Sequence, residues 1–351
     1  MEIKTLSIDW TPERLLILDQ TQLPHHSEWI EMKDLETFIT AIKKLSIRGA
    51  PLIGVASSLF LANLVQQWQG KRSVADLIEA AQKMRMARPT AVNLMVCIDR
   101  ILRVISLHQK SDEKIELVLK QQVTNEAINI FQEDVQLCEH IAINGAKFFA
   151  DGDSIVTHCN TGALATAGIG TALGVIKHVA KVEGKKIHVY VDETRPLLQG
   201  ARLTAWELEK LEIPYTLVSD SMAAFLMKQG KIQKAIVGCD RIALNGDFAN
   251  KIGTYSLAVN CNFHQIPFYV AGPYTTVDFE CVSGAHIPIE ERHSEEVHGV
   301  NLKDNRVLWA PKDAKVYNPS FDVTPAELVT AWILDRKVFD KNNISQLKDL
   351  R

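Results

Sequence analysis

The sequence predicts an α/β protein: a mostly helical first half with a small antiparallel β piece, then a parallel sheet with helices on both faces. Three observations carry this. Apolar residues recur at helical spacing through most of residues 34–150. Beyond Asp153, short apolar runs rich in valine and isoleucine alternate with helical stretches, the pattern of βαβ units. Each run gives way to a polar loop, so these loops collect on one sheet edge, where open α/β sheets bind ligands. A chain of 351 residues makes one large or two ordinary domains. The change of texture divides it into 1–150 and 151–351.

Residues 1–33 read as extended. Leu15-Leu16-Ile17-Leu18 and Trp29-Ile30-Glu31-Met32 are short apolar runs on either side of Pro24-His25-His26. The adjacent His25 and His26 point apart in a strand and make a poor metal pair. Asp34 can cap a helix to about residue 45, with Leu35, Phe38, Ile39 and Ile42 on one face. Gly49-Ala50-Pro51 opens the next helix, to about 67, because proline suits a first turn. Further helices are predicted near 73–86, 91–105 and 111–150, the last with one or more breaks. Strands follow at 155–157, 187–191, 215–218, 235–238 and 268–271, with helices near 162–180, 199–211, 221–229 and 252–263 between them. Residues 283–305 are charged and loop-like. Thr324 and Glu327 form a capping box around Pro325, which predicts a last helix to about 338 and a frayed tail beyond it.

The composition excludes several classes. A net charge of -3 with mixed signs offers no basic field for nucleic acid and no polybasic membrane patch. The six cysteines, Cys97, Cys138, Cys159, Cys239, Cys261 and Cys281, form no Cys-x-x-Cys pair and no zinc spacing. Scattered thiols in a long chain fit a reducing compartment, and the opening residues lack a signal peptide's apolar run. A cytoplasmic protein is expected. Residues 155–176 carry no formal charge, but His158, Asn160 and four glycines make them a buried strand and packed helix rather than a membrane span.

No Gly-x-Gly-x-x-Gly follows a strand, and there is no P-loop lysine, His-Glu-x-x-His or nucleophile-elbow serine. Gly168-Ile169-Gly170 falls inside a predicted helix. Hydride transfer to NAD, nucleotide hydrolysis and zinc proteolysis are thereby disfavoured. What remains at the ligand edge is a thiol, Cys159, after the first strand and an acid, Asp240, after the fourth. Asn250 and Lys251 follow just before a helix. A thiol and an acid in one cleft can form a proton-transfer pair, and an acid, an amide and a cation suit an anionic small molecule. Each has a plainer reading: Cys159 as a small core residue, and residues 238–255 as a capped loop with surface charges. In the first half, Arg48, Gly49 and the first-turn amides beyond Ala50 can hold a phosphate. Arg88, kept out of helical geometry by Pro89, can point into a cleft. An ordinary turn and a solvated charge are the plainer readings here.

Longer motifs are more specific. Arg48-Gly49-Ala50-Pro51, Arg88-Pro89-Thr90-Ala91-Val92-Asn93-Leu94, residues 157–174, Glu193-Thr194-Arg195-Pro196, Leu198-Gln199-Gly200-Ala201-Arg202 and residues 318–328 occur in order along nearly the whole chain. Together with the opening stretch they resemble the methylthioribose-1-phosphate isomerase family, which is related to the alpha, beta and delta subunits of the guanine-nucleotide exchange factor of translation initiation. Leu52 and Cys239 stand where that family often has other small or apolar residues.

The resemblance implies conversion of 5-methylthioribose 1-phosphate to 5-methylthioribulose 1-phosphate in methionine salvage. It also implies no metal or organic cofactor, a homodimer, and a Rossmann-like second domain. By position, Asp240 matches the family's proton donor and Cys159 the residue that stabilises the transition state. Arg48, Gly49, Ala50, Arg88, Gln199, Asn250 and Lys251 match its substrate contacts. These residue types fit the chemistry. A phosphate on the anomeric carbon blocks spontaneous ring opening, so an acid must protonate the ring oxygen, and a closed pocket beside a phosphate keeps that acid neutral. Hydrogen then moves from C2 to C1, as a hydride or as a proton with Cys159 as base. The rivals are a paralogous isomerase of 5-deoxyribose 1-phosphate or ribose 1,5-bisphosphate, and a non-catalytic regulatory subunit.

Overall fold

The extended opening stretch folds as a four-stranded antiparallel sheet of β1 (Ile3–Lys4), β2 (Ile8–Thr11), β3 (Arg14–Leu18) and β4 (Trp29–Glu31), in that order. Alternation decides which face is buried: Ile8, Trp10, Leu15 and Ile17 point into a core while Asp9 and Leu16 are only partly covered. The computed structural model describes residues 1–67, 73–88, 92–108, 116–302 and 305–351. They form two compact units, 1–143 with 161–175 and 144–160 with 176–351.

In the first unit, α1 (Leu35–Lys43) starts where Asp34 accepts the Thr37 amide at 2.8 Å. Next, α2 (Ala50–Gln66) is buried at every residue from 52 to 65, so it is the unit's central helix. It stacks Phe60 on Phe38 of α1 at 4.6 Å and accepts the indole N–H of Trp10 at the Leu59 carbonyl. A Ser73–Asp76 capping box opens α3 (Val74–Arg85). It is followed by α4 (Val92–Ser106) and α5 (Glu116–Ala146). The predicted starts near 91 and 111 lie outside the described residues. Among the described residues the predicted break in the last of these helices does not occur, since α5 runs unbroken for 31 residues.

The second unit begins with β5 (Ser154–Thr157). The helix predicted directly after Gly162 does not form there. Residues 161–171, which belong to the first unit, run as turns, and α6 (Ala172–Lys177) starts only beyond them. The small residues serve close approach rather than helix formation. Gly170 has φ +99°, and a Cβ there would lie 2.5 Å from the Gly162 Cα. Gly168 rests on Val135 and Cys138 of α5, and the Ala167 amide donates to the Asp134 carboxylate at 2.7 Å. Gly168-Ile169-Gly170 therefore lies outside any helix.

Beyond α6 come β6 (His188–Asp192), α7 (Ala205–Lys210), β7 (Tyr215–Val218), α8 (Ala223–Lys228), β8 (Lys234–Val237), β9 (Arg241–Ile242), β10 (Phe248–Lys251), α9 (Thr254–Phe263) and β11 (Phe268–Ala271). The stretch predicted as a loop, 283–305, instead contains α10 (Glu295–His298) and β12 (Gly299–Leu302), which pairs with β13 (Asn305–Leu308). Then come β14 (Phe321–Thr324), β15 (Ala331–Ile333) and β16 (Val338–Phe339). All five predicted strands are present and lie in one seven-stranded sheet, ordered β16-β15-β11-β8-β5-β6-β7. Every pairing in it is parallel except β15 with β16. A second, antiparallel sheet has the order β14-β10-β9.

The predicted C-terminal helix is a misreading. Pro325 is extended, with ψ 143°, and the Ala326 amide is taken by Asp247 rather than by a capping box. Ala331-Trp332-Ile333 is a fully buried strand, and a run that short shows no period to distinguish it from a helix. Nor is the tail frayed: residues 344–350 form a 3₁₀ turn that buries Leu347 in the unit's core.

Candidate active site

The strand order sets where the chemistry of the second unit collects. From β5 the chain builds outward through β6 and β7, then returns to pair β8 against the other side of β5, Val156 facing Ala235. Beyond this reversal of direction, the C-terminal ends of neighbouring strands diverge and leave a crevice. The chain leaves β5 through His158-Cys159-Asn160 and β8 through Gly238-Cys239-Asp240. Cys159 and Asp240 thus sit just beyond the ends of two adjacent strands.

Cys159 is partly exposed and has φ +65°, a left-handed conformation that costs a non-glycine residue about 1–3 kcal/mol and persists only when its surroundings enforce it. They do. Its amide donates to the Thr194 hydroxyl at 2.8 Å, and its carbonyl accepts from the Thr204 hydroxyl at 2.6 Å. Thr194, itself at φ +65°, donates to the Asp192 carbonyl. The amides of Thr194 and Arg195 donate to the two oxygens of Asp220. Asn160 donates to Thr204 and Glu207. Gln199 is buried, and its Oε1 has no hydrogen-bond partner among the described residues. An amide oxygen in that state is costly unless a bound molecule supplies a donor.

Asp240 is half-buried, and its amide donates to the Ala249 carbonyl of β10 at 2.9 Å. The next two residues of β10, Asn250 and Lys251, are 4% and 8% exposed. The surface-charge reading of this stretch is therefore wrong. Asn250 donates to Thr254, and the Lys251 ammonium donates to the Ser320 carbonyl at 2.7 Å and lies 4.8 Å from the centre of the Phe321 ring. Partly buried surroundings push the neighbouring Cys239 thiol well up, with Asp240 adding to the effect, so Cys239, packed against the core, remains a neutral thiol.

In the first unit, Arg48 is buried and Gly49 caps α2. A Cβ on Gly49 would lie 2.4 Å from the Ala165 carbonyl oxygen. That oxygen also takes the Leu52 amide at 3.2 Å, which removes one of the donors expected for an anion. Pro51 has none, so among the described residues the Gly49 and Ala50 amides remain. Arg88 lies just beyond the end of α3 and is partly buried; Pro89 and Thr90 lie outside the described residues.

The residues that sequence reasoning passed over are His158, Asp192, Thr194 and Asp220. Position was a signal for all four, since each stands at or just beyond the end of a sheet strand, and His158 and Thr194 also fall within the motifs that carry the family resemblance. His158 is buried, with Nδ1 3.1 Å from Asp192 Oδ2 and Nε2 2.9 Å from the Ile252 carbonyl. Burial alone would lower the imidazole pKa, but the Asp192 hydrogen bond and charge outweigh it and hold the ring above its ordinary value. Burial likewise raises the Asp192 carboxyl, against the influence of His158. The ligand atoms of His158, Asp192 and Asp220 lie within 4.8 Å of one another, a spacing that could hold a metal ion. Most of their capacity is already engaged: both ring nitrogens face acceptors and both Asp220 oxygens receive amides, while Asp192 Oδ1 has no hydrogen-bond partner among the described residues.

Residues 46–340 match the profile of the Initiation factor 2 subunit family. The chain belongs to that family. Within the initiation factor 2 subunit family it is similar to a methylthioribose-1-phosphate isomerase of Cronobacter sakazakii, 48% identical over 98% of this chain and 97% of the other. Among solved structures it matches the 5-methylthioribose 1-phosphate isomerase of Pyrococcus horikoshii, with TM-score 0.86, 38% identity and coverage of 98% and 96%. A structure described as the translation initiation factor eIF-2B subunit delta from A. fulgidus matches with TM-score 0.83 and 40% identity, covering 99% of each chain. No helix among the family member's described residues is long and apolar enough to cross a membrane.

Proposed function

We propose that this chain is an aldose–ketose isomerase that converts 5-methylthioribose 1-phosphate to 5-methylthioribulose 1-phosphate in methionine salvage. The observation that carries the reading is end-to-end likeness to proteins of that name, 48% identical over 98% of the chain. The geometry supports it by bringing a thiol and an acid to the reversal point of one sheet.

In the proposed mechanism Asp240 protonates the ring oxygen, the bond from that oxygen to C1 breaks, hydrogen passes from C2 to C1, and the C2 hydroxyl gives up its proton, which returns to the Asp240 carboxylate. C2 is oxidised to the ketone as C1 is reduced, so the reaction is internally balanced. Cys159, held in its strained turn, stabilises the transition state or accepts the migrating proton. Gln199 offers its unpartnered oxygen to a sugar hydroxyl. Arg48, Arg88 and the amides of Gly49 and Ala50 are assigned to the phosphate, and Asn250 and Lys251 to the sugar phosphate's polar groups. The reading includes a Rossmann-like second domain, supported by the strand order, and a homodimer in the cytoplasm, where the six free thiols would stay reduced.

The test is to incubate the purified protein with 5-methylthioribose 1-phosphate and follow the ketose by NMR. Failure to form ketose rejects the reading. It would leave a non-catalytic subunit, which the likeness to the A. fulgidus structure favours as the second reading. In deuterated water, absence of label at C1 of the product supports hydride transfer, and its presence supports an enediolate with Cys159 as base.

A further inference from the structure

One peptide group in the second unit is gripped at both ends. The carbonyl of Ile252 faces His158 Nε2 at 2.9 Å, and a carbonyl only accepts, so Nε2 carries a hydrogen. The amide of the same group, at Gly253, donates to Asp322 Oδ2 at 2.7 Å, and Asp322 Oδ1 takes the Tyr255 amide at 3.1 Å. The ring is anchored in turn by Asp192 at Nδ1. Gly253 has φ +104°, and a Cβ there would lie 2.8 Å from the His158 Cε1, so ring and turn are fitted to each other.

The gripped peptide directly follows Asn250 and Lys251 at the end of β10, and His158 directly precedes Cys159. We propose that His158 is a positioning residue: it locks the Ile252–Gly253 peptide to the ends of β5 and β6 and so holds the Asn250–Lys251 strand end in register with the Cys159 turn. This rests on reading Cys159, Asn250 and Lys251 as site residues. The charged groups facing the ring are Asp192 at the end of β6, Asp220 beyond β7, and Asp322 on β14, which in turn faces Lys251 on β10. The ring touches no substrate in this account. Its effect passes through the two segments it joins, and a misplacement of about 1 Å at a reacting group costs on the order of 100-fold in rate.

The experiment measures turnover and melting temperature together for His158→Leu, His158→Gln and Asp240→Asn. Folded His158→Leu is expected to lose about 30- to 100-fold in kcat. His158→Gln, whose amide can still donate to the Ile252 carbonyl, is expected to recover about tenfold of that loss. A merely structural histidine would lower the melting temperature and leave kcat per folded molecule unchanged. Turnover in folded His158→Leu within about threefold of wild type overturns the inference. If His158→Leu does not fold, His158→Gln decides: a lowered kcat supports the role and an unchanged one overturns it. Lost turnover in Asp240→Asn beside normal turnover in the His158 variants sinks this inference alone. Normal turnover in all of them sinks the site assignment as well.

Discussion

In the proposed reaction Asp240 carries the heaviest chemical demand of any single residue, because a furanose esterified at C1 opens only if its ring oxygen is protonated. An amide cannot do this. Asp240→Asn is expected to melt like wild type and to lose turnover by about 10²- to 10⁴-fold, measured as ketose formation by NMR. A near-normal rate would assign the proton to another group. Cys239 next to it is no substitute, since burial raises the pKa of that thiol and makes it a far weaker proton donor than a carboxyl group. Cys159 and Asp240 were legible because each follows an apolar strand. The grip on Cys159 was not, because Thr194 and Thr204 reach it from 35 and 45 residues away. Gln199 was legible only through family resemblance, since no spacing rule reveals that an amide oxygen will be buried without a partner.

At the scale of elements, the run 161–171 depends on a buried acid of α5. The Asp134 carboxyl is pushed up to about 6 by burial, against the Ala167 amide that donates to it. Its unfolded value is near 3.8, so the folded state binds the proton more tightly. The resulting stability is fully present below that value and is lost as pH rises through about 6. Asp134→Asn keeps an acceptor for the Ala167 amide without a charge. Its advantage over wild type is expected to be small at about pH 4 and to grow to at most about 3 kcal/mol at about pH 7.5, read from urea midpoints. An advantage independent of pH would refute the account. The same run defeated the helix prediction, because its small residues were selected by contact with α5 and by a glycine at φ +99°. The capping box at Thr324 misled for a similar reason: Asp247, distant in sequence, claims the amide that a local cap would have served.

For the whole molecule, the sheet reaches almost to the C-terminus. Trp332, Phe339 and Leu347 are fully buried in the second unit's core. Losing all three side chains costs roughly 5–9 kcal/mol, comparable with the entire stability of an ordinary domain. A chain ending at Thr330 is therefore expected to lose the second unit's cooperative melting, followed by near-ultraviolet circular dichroism. Wild-type melting would show β15 and β16 to be dispensable. The proposed homodimer is checked separately by sedimentation, where a monomer at micromolar concentration would count against it. The division of the chain has a consequence for its history. Backbone passes from one unit to the other at 143–144, again at 160–161 and again at 175–176. No single cut in the gene separates them, so neither unit can be borrowed as a ready-made cassette, and recombination must carry both together.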